Sequence, residues 1–116
     1  MDGGELLCAA SVGHAEVGRL LIEKGADPES IDERAGGNAL HAAASMKYTF
    51  DSTRFIQMLL DHGVDPNART RDGRSALKIA EARNEAQEQA LATDPDGERR
   101  NFAGVIELLR RHGATD

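Results

Sequence analysis

The stretch Phe55-Ile56-Gln57-Met58-Leu59-Leu60-Asp61-His62-Gly63-Val64-Asp65-Pro66 decides the fold, because it recurs. Val17-Gly18-Arg19-Leu20-Leu21-Ile22-Glu23-Lys24-Gly25-Ala26-Asp27-Pro28 precedes it and Val105-Ile106-Glu107-Leu108-Leu109-Arg110-Arg111-His112-Gly113-Ala114 follows it, on one pattern. Each copy spaces its apolar residues as one face of a short helix and then meets a Gly, the residue that closes a helix in left-handed backbone. Upstream of each lies an Ala-rich partner: Leu6-Leu7-Cys8-Ala9-Ala10, Asn38-Ala39-Leu40-His41-Ala42-Ala43-Ala44 and Ser75-Ala76-Leu77-Lys78-Ile79-Ala80. Small Ala side chains let two antiparallel helices approach closely, and Asn38 and Ser75 stand where an N-cap accepts the free amides of a first turn. The unit is a helix, a turn, a second helix, then a Gly-Ala-Asp or Gly-Val-Asp exit into an extended linker.

At this point the chain resembles the ankyrin repeat proteins over nearly all of its length. The residues that carry the resemblance are Ala9-Ala10-Ser11-Val12-Gly13-His14, Ala39-Leu40-His41-Ala42-Ala43, and Asp65-Pro66-Asn67-Ala68-Arg69-Thr70-Arg71-Asp72-Gly73-Arg74-Ser75-Ala76-Leu77. The resemblance implies an all-α solenoid of three helix-turn-helix repeats with short β-hairpin-like linkers and an extended helical hairpin in the third repeat. It divides a single domain, 1–116, into repeats at approximately 3–32, 33–67 and 68–116.

Family repeats run to about 33 residues, whereas the Gly stops fall at 25, 63 and 113, spacings of 38 and 50. The excess falls in two insertions, approximately 45–54 and 81–101. The first holds Tyr48 and Phe50, with Phe55 directly after it, so three of the four aromatics of the chain sit within eight residues. Two readings stand. With Asp51 as N-cap, Phe50 and Phe55 form a hydrophobic staple that anchors the loop; alternatively Met46, Lys47 and Tyr48 form an exposed contact patch. The second insertion begins with strong helix formers, Glu81 to Ala92, that prolong the inner helix from Ser75 to eighteen residues, about 27 Å. Asp94-Pro95-Asp96-Gly97 turns the chain, with Asp94 in an N-cap position, and Ala82, Ala86 and Ala90 fall at i, i+4 spacing to face Phe102. This projection reads either as a solvated, stabilising hairpin or as a partner or self-association surface over 81–105. The first repeat lacks a leading hairpin and the last carries Arg110 and Arg111 where inner repeats prefer Leu, so both ends read as polar caps of a complete three-repeat domain.

Composition sets the outer limits. With 116 residues, 40% hydrophobic content, 3% aromatic content and a net charge of −6, the chain suits one domain of closely packed helices better than a β-sandwich. One cysteine excludes an internal disulfide framework and fits a reducing compartment. The acidic start lacks a signal-peptide pattern, and no apolar run approaches the roughly 20 residues of a membrane helix; the expectation is a cytoplasmic protein without membrane contact. Residues 1–32 carry seven acids and two bases, a net −5, whereas 33–70 are neutral and 71–116 carry −1. An acidic first third argues against nucleic acid as partner.

No catalytic constellation emerges. His62 and His112 precede Gly stops, where a His can satisfy the last carbonyls of a helix, and His41 reads as a structural hydrogen bonder near Asn38. A calcium loop centred on Gly97 fails, because positions 92 and 103 are both Ala. Cys8 reads as a small buried hydrophobe, and neither Gly3-Gly4 nor Gly36-Gly37 continues as a phosphate loop. No metal, cofactor or enzymatic activity is expected.

The resemblance implies binding to another protein through the concave face of hairpin tips and inner helices. On this chain that face offers Arg69, Arg71, Asp72, Arg74 and Lys78, four cations and one acid, which suit an acidic partner surface unless they are spent on surface ion pairs. Ile31, Asp32, Glu33 and Arg34 form the corresponding tip between repeats one and two, and Met46 and Lys47 extend the surface. The expected function is a non-enzymatic interaction module, an inhibitory or immunity-type role being one form of it. The alternative is an assembly protein that self-associates through 81–105; otherwise the chain is expected to be a monomer.

Overall fold

The computed structural model describes residues 4–29, 37–46, 52–97 and 99–114, apart from the side chains of Gly4, Glu5, Cys8 and Ser11. Six helices fall among them: α1 (Gly4–Val12), α2 (Ala15–Glu23), α3 (Ala39–Ser45), α4 (Thr53–Asp61), α5 (Ala76–Thr93) and α6 (Phe102–Arg111). They pair in sequence, and like stacks on like: α1, α3 and α5 form an inner layer, and α2, α4 and α6 an outer one. Among the described residues, the only β-pairing is an isolated antiparallel bridge between Arg69 and Ser75.

The division of labour between layers follows from side-chain size. The inner helices bury Ala9, Ala10, Ala39, Ala43, Ala44, Ala76 and Ala80, so their backbones lie close together, while the outer helices supply the bulk: Phe55, Ile56, Leu59, Phe102, Val105 and Leu109. The outer helices approach closely at Gly18 of α2, where an added Cβ would stand 2.7 Å from the Phe55 ring and 2.9 Å from the end of Met58. The missing side chain is what seats α4 on α2.

All three outer helices end alike. The N–H groups of Gly25, Gly63 and Gly113 donate to the carbonyls of Ile22, Leu60 and Arg110, and the next residues, Ala26, Val64 and Ala114, donate to Leu21, Leu59 and Leu109. This is the Schellman pairing, and the buried Ala26, Val64 and Ala114 supply its apolar contact. At Gly63 the motif requires φ +88°, a conformation that costs glycine little. The inner helix α3 instead ends on Met46 at φ +46°, the one non-glycine with positive φ among the described residues, and its side chain is fully buried. Met46 is thus a core residue rather than part of a contact surface. Packing offsets the cost of its backbone.

Asn38 and Ser75 cap α3 and α5 as the sequence predicts: Asn38 Oδ1 accepts from the N–H groups of Leu40 and His41, and Ser75 Oγ from that of Lys78. The cap of α4 is displaced by one residue. Ser52, not Asp51, is its N-cap, with no side-chain cap bond, which places Phe55 at N3 rather than at the staple position; Phe55 serves the core instead. Phe50 and Asp51 lie outside the described residues. Helix α5 reaches the predicted eighteen residues, Ala76–Thr93. Asp94 closes α5 rather than starting a helix, its carbonyl accepting from the N–H of Gly97. Ala82, Ala86 and Ala90 line a groove with Phe102 as expected but are exposed, and buried Leu91 and half-buried Gln87 stand beside them in the same groove. Gln87 holds the returning chain with both ends of its amide, Oε1 accepting from Arg100 N–H at 2.7 Å and Nε2 donating to the Arg100 carbonyl at 3.0 Å.

The two ends of the solenoid differ. At the C-terminal end Arg110 pairs with Glu81 at 3.1 Å. At the other end Val12, Val17 and Leu20 are 39%, 48% and 49% exposed, so among the described residues the first repeat ends on apolar side chains where a polar cap is expected. No helix among the described residues is long and apolar enough to cross a membrane.

Candidate functional site on the concave face

The hairpin that joins repeats two and three is built by short-range bonds. Thr70 N–H donates to the Arg74 carbonyl at 2.8 Å, Gly73 N–H donates to the Thr70 carbonyl at 2.9 Å, and Arg74 N–H reaches Thr70 Oγ1 at 3.2 Å. Gly73 takes φ +82° at the tip, and the Arg69 guanidinium folds back to donate to its carbonyl at 2.9 Å.

His41 ties this hairpin to α3. Its Nδ1 accepts from the Asn38 N–H at 3.1 Å, which leaves Nε2 carrying the proton that it donates to the Ala68 carbonyl at 2.8 Å. Burial holds the imidazole below its usual pKa, against the opposing pull of the Ala68 and Arg74 backbone. The structural role predicted for His41 is therefore its observed one. His62 also meets expectation, its Nδ1 donating to the Met58 carbonyl at 2.8 Å, whereas His112 takes Gln57 Nε2 as partner at 3.4 Å.

Between the hairpin and the exposed edges of α3 and α5 lies a cleft of about 510 Å³. Leu7, Ala42, Ile79 and Ala82 line it with apolar surface, His41 and Asn38 sit in its wall, and Asp72, Arg74, Lys78 and Arg83 stand around it. Of the residues predicted from the sequence, Asp72, Arg74 and Lys78 come together here. Arg69 is turned into the hairpin, Arg71 lies at the exposed tip away from the cleft lining, and Met46 is in the core. Ile31, Asp32, Glu33, Arg34, Lys47 and Tyr48 lie outside the described residues. Sequence reasoning missed Leu7, Ile79 and Arg83. The signal for Arg83 was present, since it follows Ile79 by four residues, about one helical turn, on the prolonged α5.

Electrostatically the cleft contrasts with the outer face. There a groove across α2, α4 and α6 is also charged, but most of its arginines are paired: Arg19 bonds Glu16 at 2.8 Å and Glu23 at 3.2 Å, and Arg111 bonds Glu107 at 2.8 Å. Among the described residues, no ion pair engages Arg74, Lys78 or Arg83. Three cations, with Asp72 among them, thus stand beside an apolar floor. Among the described residues no three His, Cys, Asp or Glu side chains converge as a metal would require.

Comparison with known proteins agrees with the repeat fold. A family model described as ankyrin repeats, three copies, matches residues 6–93, and the chain belongs to the ankyrin repeat family. Among curated relatives, an ankyrin repeat and KH domain-containing protein of Caenorhabditis briggsae is 39% identical over 75 residues, which are 65% of this chain and 3% of that protein. The B-cell lymphoma 3 protein homolog of Mus musculus is 37% identical over 76 residues, 65% of this chain and 16% of its own. The chain thus spans a small part of the length of these relatives. Among solved structures, the ankyrin repeat domain of Bcl-3, an IkappaB family member, superposes with a TM-score of 0.71 at 28% identity, covering 95% of this chain and 39% of that one. An ankyrin repeat domain from Acinetobacter baumannii gives 0.68 at 25% identity, with 95% and 47% coverage. Ankyrin repeats are in general protein–protein interaction modules, and the fold and its stacked helix pairs are those of that family.

Proposed function

We propose that this chain is a non-enzymatic binding module that captures an acidic segment of a partner protein in the cleft between the 68–75 hairpin and α5. The observation that carries this reading is the grouping of Arg74, Lys78 and Arg83 around an apolar floor, with no carboxylate of the described residues paired to them. The scaffold suits the task. His41 fixes the hairpin to α3 and Ser75 fixes it to α5, so the cationic groups are held on rigid elements and less ordering is required on association. Such a module acts by occlusion or by recruitment, and an inhibitory or immunity-type role, in which it covers an enzyme, is one form of the first.

A peptide array tests the reading. Peptides carrying Asp and Glu on both sides of one aliphatic residue should be retained by the immobilised protein, and permutations with Lys and Arg in the acidic positions should not. Equal retention of the two sets, or preference for the basic set, would contradict it.

A further inference from the structure

Aligned by their Gly stops, Val17 and Leu20 of α2 occupy the repeat positions of Phe55 and Met58 in α4 and of Val105 and Leu108 in α6. In the later repeats these positions face the preceding outer helix: Phe55 and Met58 sit over Gly18. Phe55 and Val105 are accordingly 0% exposed and Met58 8%, while Val17 and Leu20 are 48% and 49% exposed, with Val12 beside them at 39%. Among the described residues, therefore, nothing covers on the first repeat the surface by which the later repeats stack.

The opposite end of the molecule does not fit this surface. Arg110 stands there at the repeat position of Ile22 and Leu60 and is paired with Glu81, so head-to-tail stacking would bury an ion pair against valine and leucine. The surface fits itself. When two α2 helices meet antiparallel with Leu20 on the two-fold axis, Glu16 of one copy falls opposite Lys24 of the other, because both lie four residues from Leu20. Glu16 and Lys24 are both exposed; Lys24 enters no ion pair among the described residues, and Glu16 spends one oxygen on Arg19. A parallel meeting would set Glu16 against Glu16 in a segment already at −5.

We propose that two copies of this chain associate through α2, with Val17 and Leu20 at the centre of an antiparallel, two-fold contact closed by two Glu16–Lys24 pairs. A nine-residue helix is about 14 Å long, which places the contact at the small end of protein interfaces and makes the dimer weak and concentration-dependent.

Sedimentation equilibrium of the 116-residue protein from about 10 μM to about 1 mM should show a monomer–dimer equilibrium. Leu20→Glu should shift it to monomer, while Ala86→Glu on the long hairpin should leave it unchanged. Glu16→Lys and Lys24→Glu should each weaken the dimer about tenfold through two like-charge contacts, and the double exchange should restore it. Circular dichroism would confirm that each variant is folded, and the charge exchange reads the interface independently of the Leu20 variant. A protein that stays monomeric across the range overturns the proposal. So does a dimer that Ala86→Glu dissociates and Leu20→Glu does not, or a double exchange no tighter than either single one.

Discussion

The Nε2 atom of His41 lies 2.8 Å from the carbonyl oxygen of Ala68, twenty-seven residues further along the chain, and this one bond joins the second inner helix to the hairpin of the third repeat. Burial lowers the imidazole pKa below the ordinary 6.5. The sign follows: between the folded and unfolded values the unfolded chain binds more protons, so His41 contributes full stability above about pH 6.5 and loses it as the pH falls through the folded value. Melting temperature should decline between pH 7.5 and pH 5 in the wild type, and the decline should be shallower in His41→Gln. At pH 7.5 His41→Ala should cost about 2–4 kcal/mol, because it leaves the Asn38 N–H and Ala68 carbonyl without their partner. Equal pH slopes in the wild type and His41→Gln would refute this account.

At Gly18, ordinary helix propensity makes the wrong prediction. Alanine in an exposed helix interior gains about 1 kcal/mol over glycine, yet here its Cβ would meet the Phe55 ring at 2.7 Å. Gly18→Ala should therefore destabilise by about 1–3 kcal/mol, and Phe55→Leu in the same chain should recover part of the loss. Urea denaturation of the two variants measures both effects.

Two serines at N-cap positions should respond in opposite ways. Ser75 Oγ accepts from Lys78 N–H, so Ser75→Ala should cost about 1 kcal/mol. Ser52 Oγ is buried with no hydrogen-bond partner among the described residues, and Ser52→Ala should be neutral or stabilising by up to about 1 kcal/mol. Chemical denaturation of both variants under one condition gives the comparison.

The long hairpin depends on Gln87. Its amide exchanges two hydrogen bonds with the Arg100 backbone at 2.7 and 3.0 Å, and Gln87→Ala should release the returning segment. The expected loss is about 1–3 kcal/mol, with faster proteolytic cleavage between Asp94 and Arg100. Unchanged cleavage would show that packing at Leu91 and Phe102 is sufficient to hold the return.

Most of the fold was legible because its signals are local. The Gly stops, the Asn38 and Ser75 caps and the helix formers after Ala80 act over a few residues, and the α5 boundary was placed to within one. What failed depended on neighbours in space. Val17 and Leu20 carry the same pattern as Phe55 and Met58, and only the absence of a covering helix among the described residues distinguishes them. Met46 reads as a loop residue because the chain lengthens there, but it closes α3 in left-handed backbone and turns inward. Asp51 reads as the cap of α4, but the helix begins one residue later, with Ser52 at its N-cap. In the cleft, Asp72, Arg74 and Lys78 were found because they follow the repeat pattern. Arg83 was missed because it lies past the point where that pattern stops and the prolonged helix alone carries the concave face onward.

Charge reversal in the cleft tests the central claim most directly. The wild-type protein, an Arg74→Glu/Lys78→Glu/Arg83→Glu variant and an outer-face Arg54→Glu control, immobilised at equal density, would be exposed to an extract of the native source, with retained proteins identified and quantified by mass spectrometry. The account predicts that wild type and Arg54→Glu retain the same partner and that the cleft variant loses it by at least about tenfold. Equal retention by the folded cleft variant would contradict it.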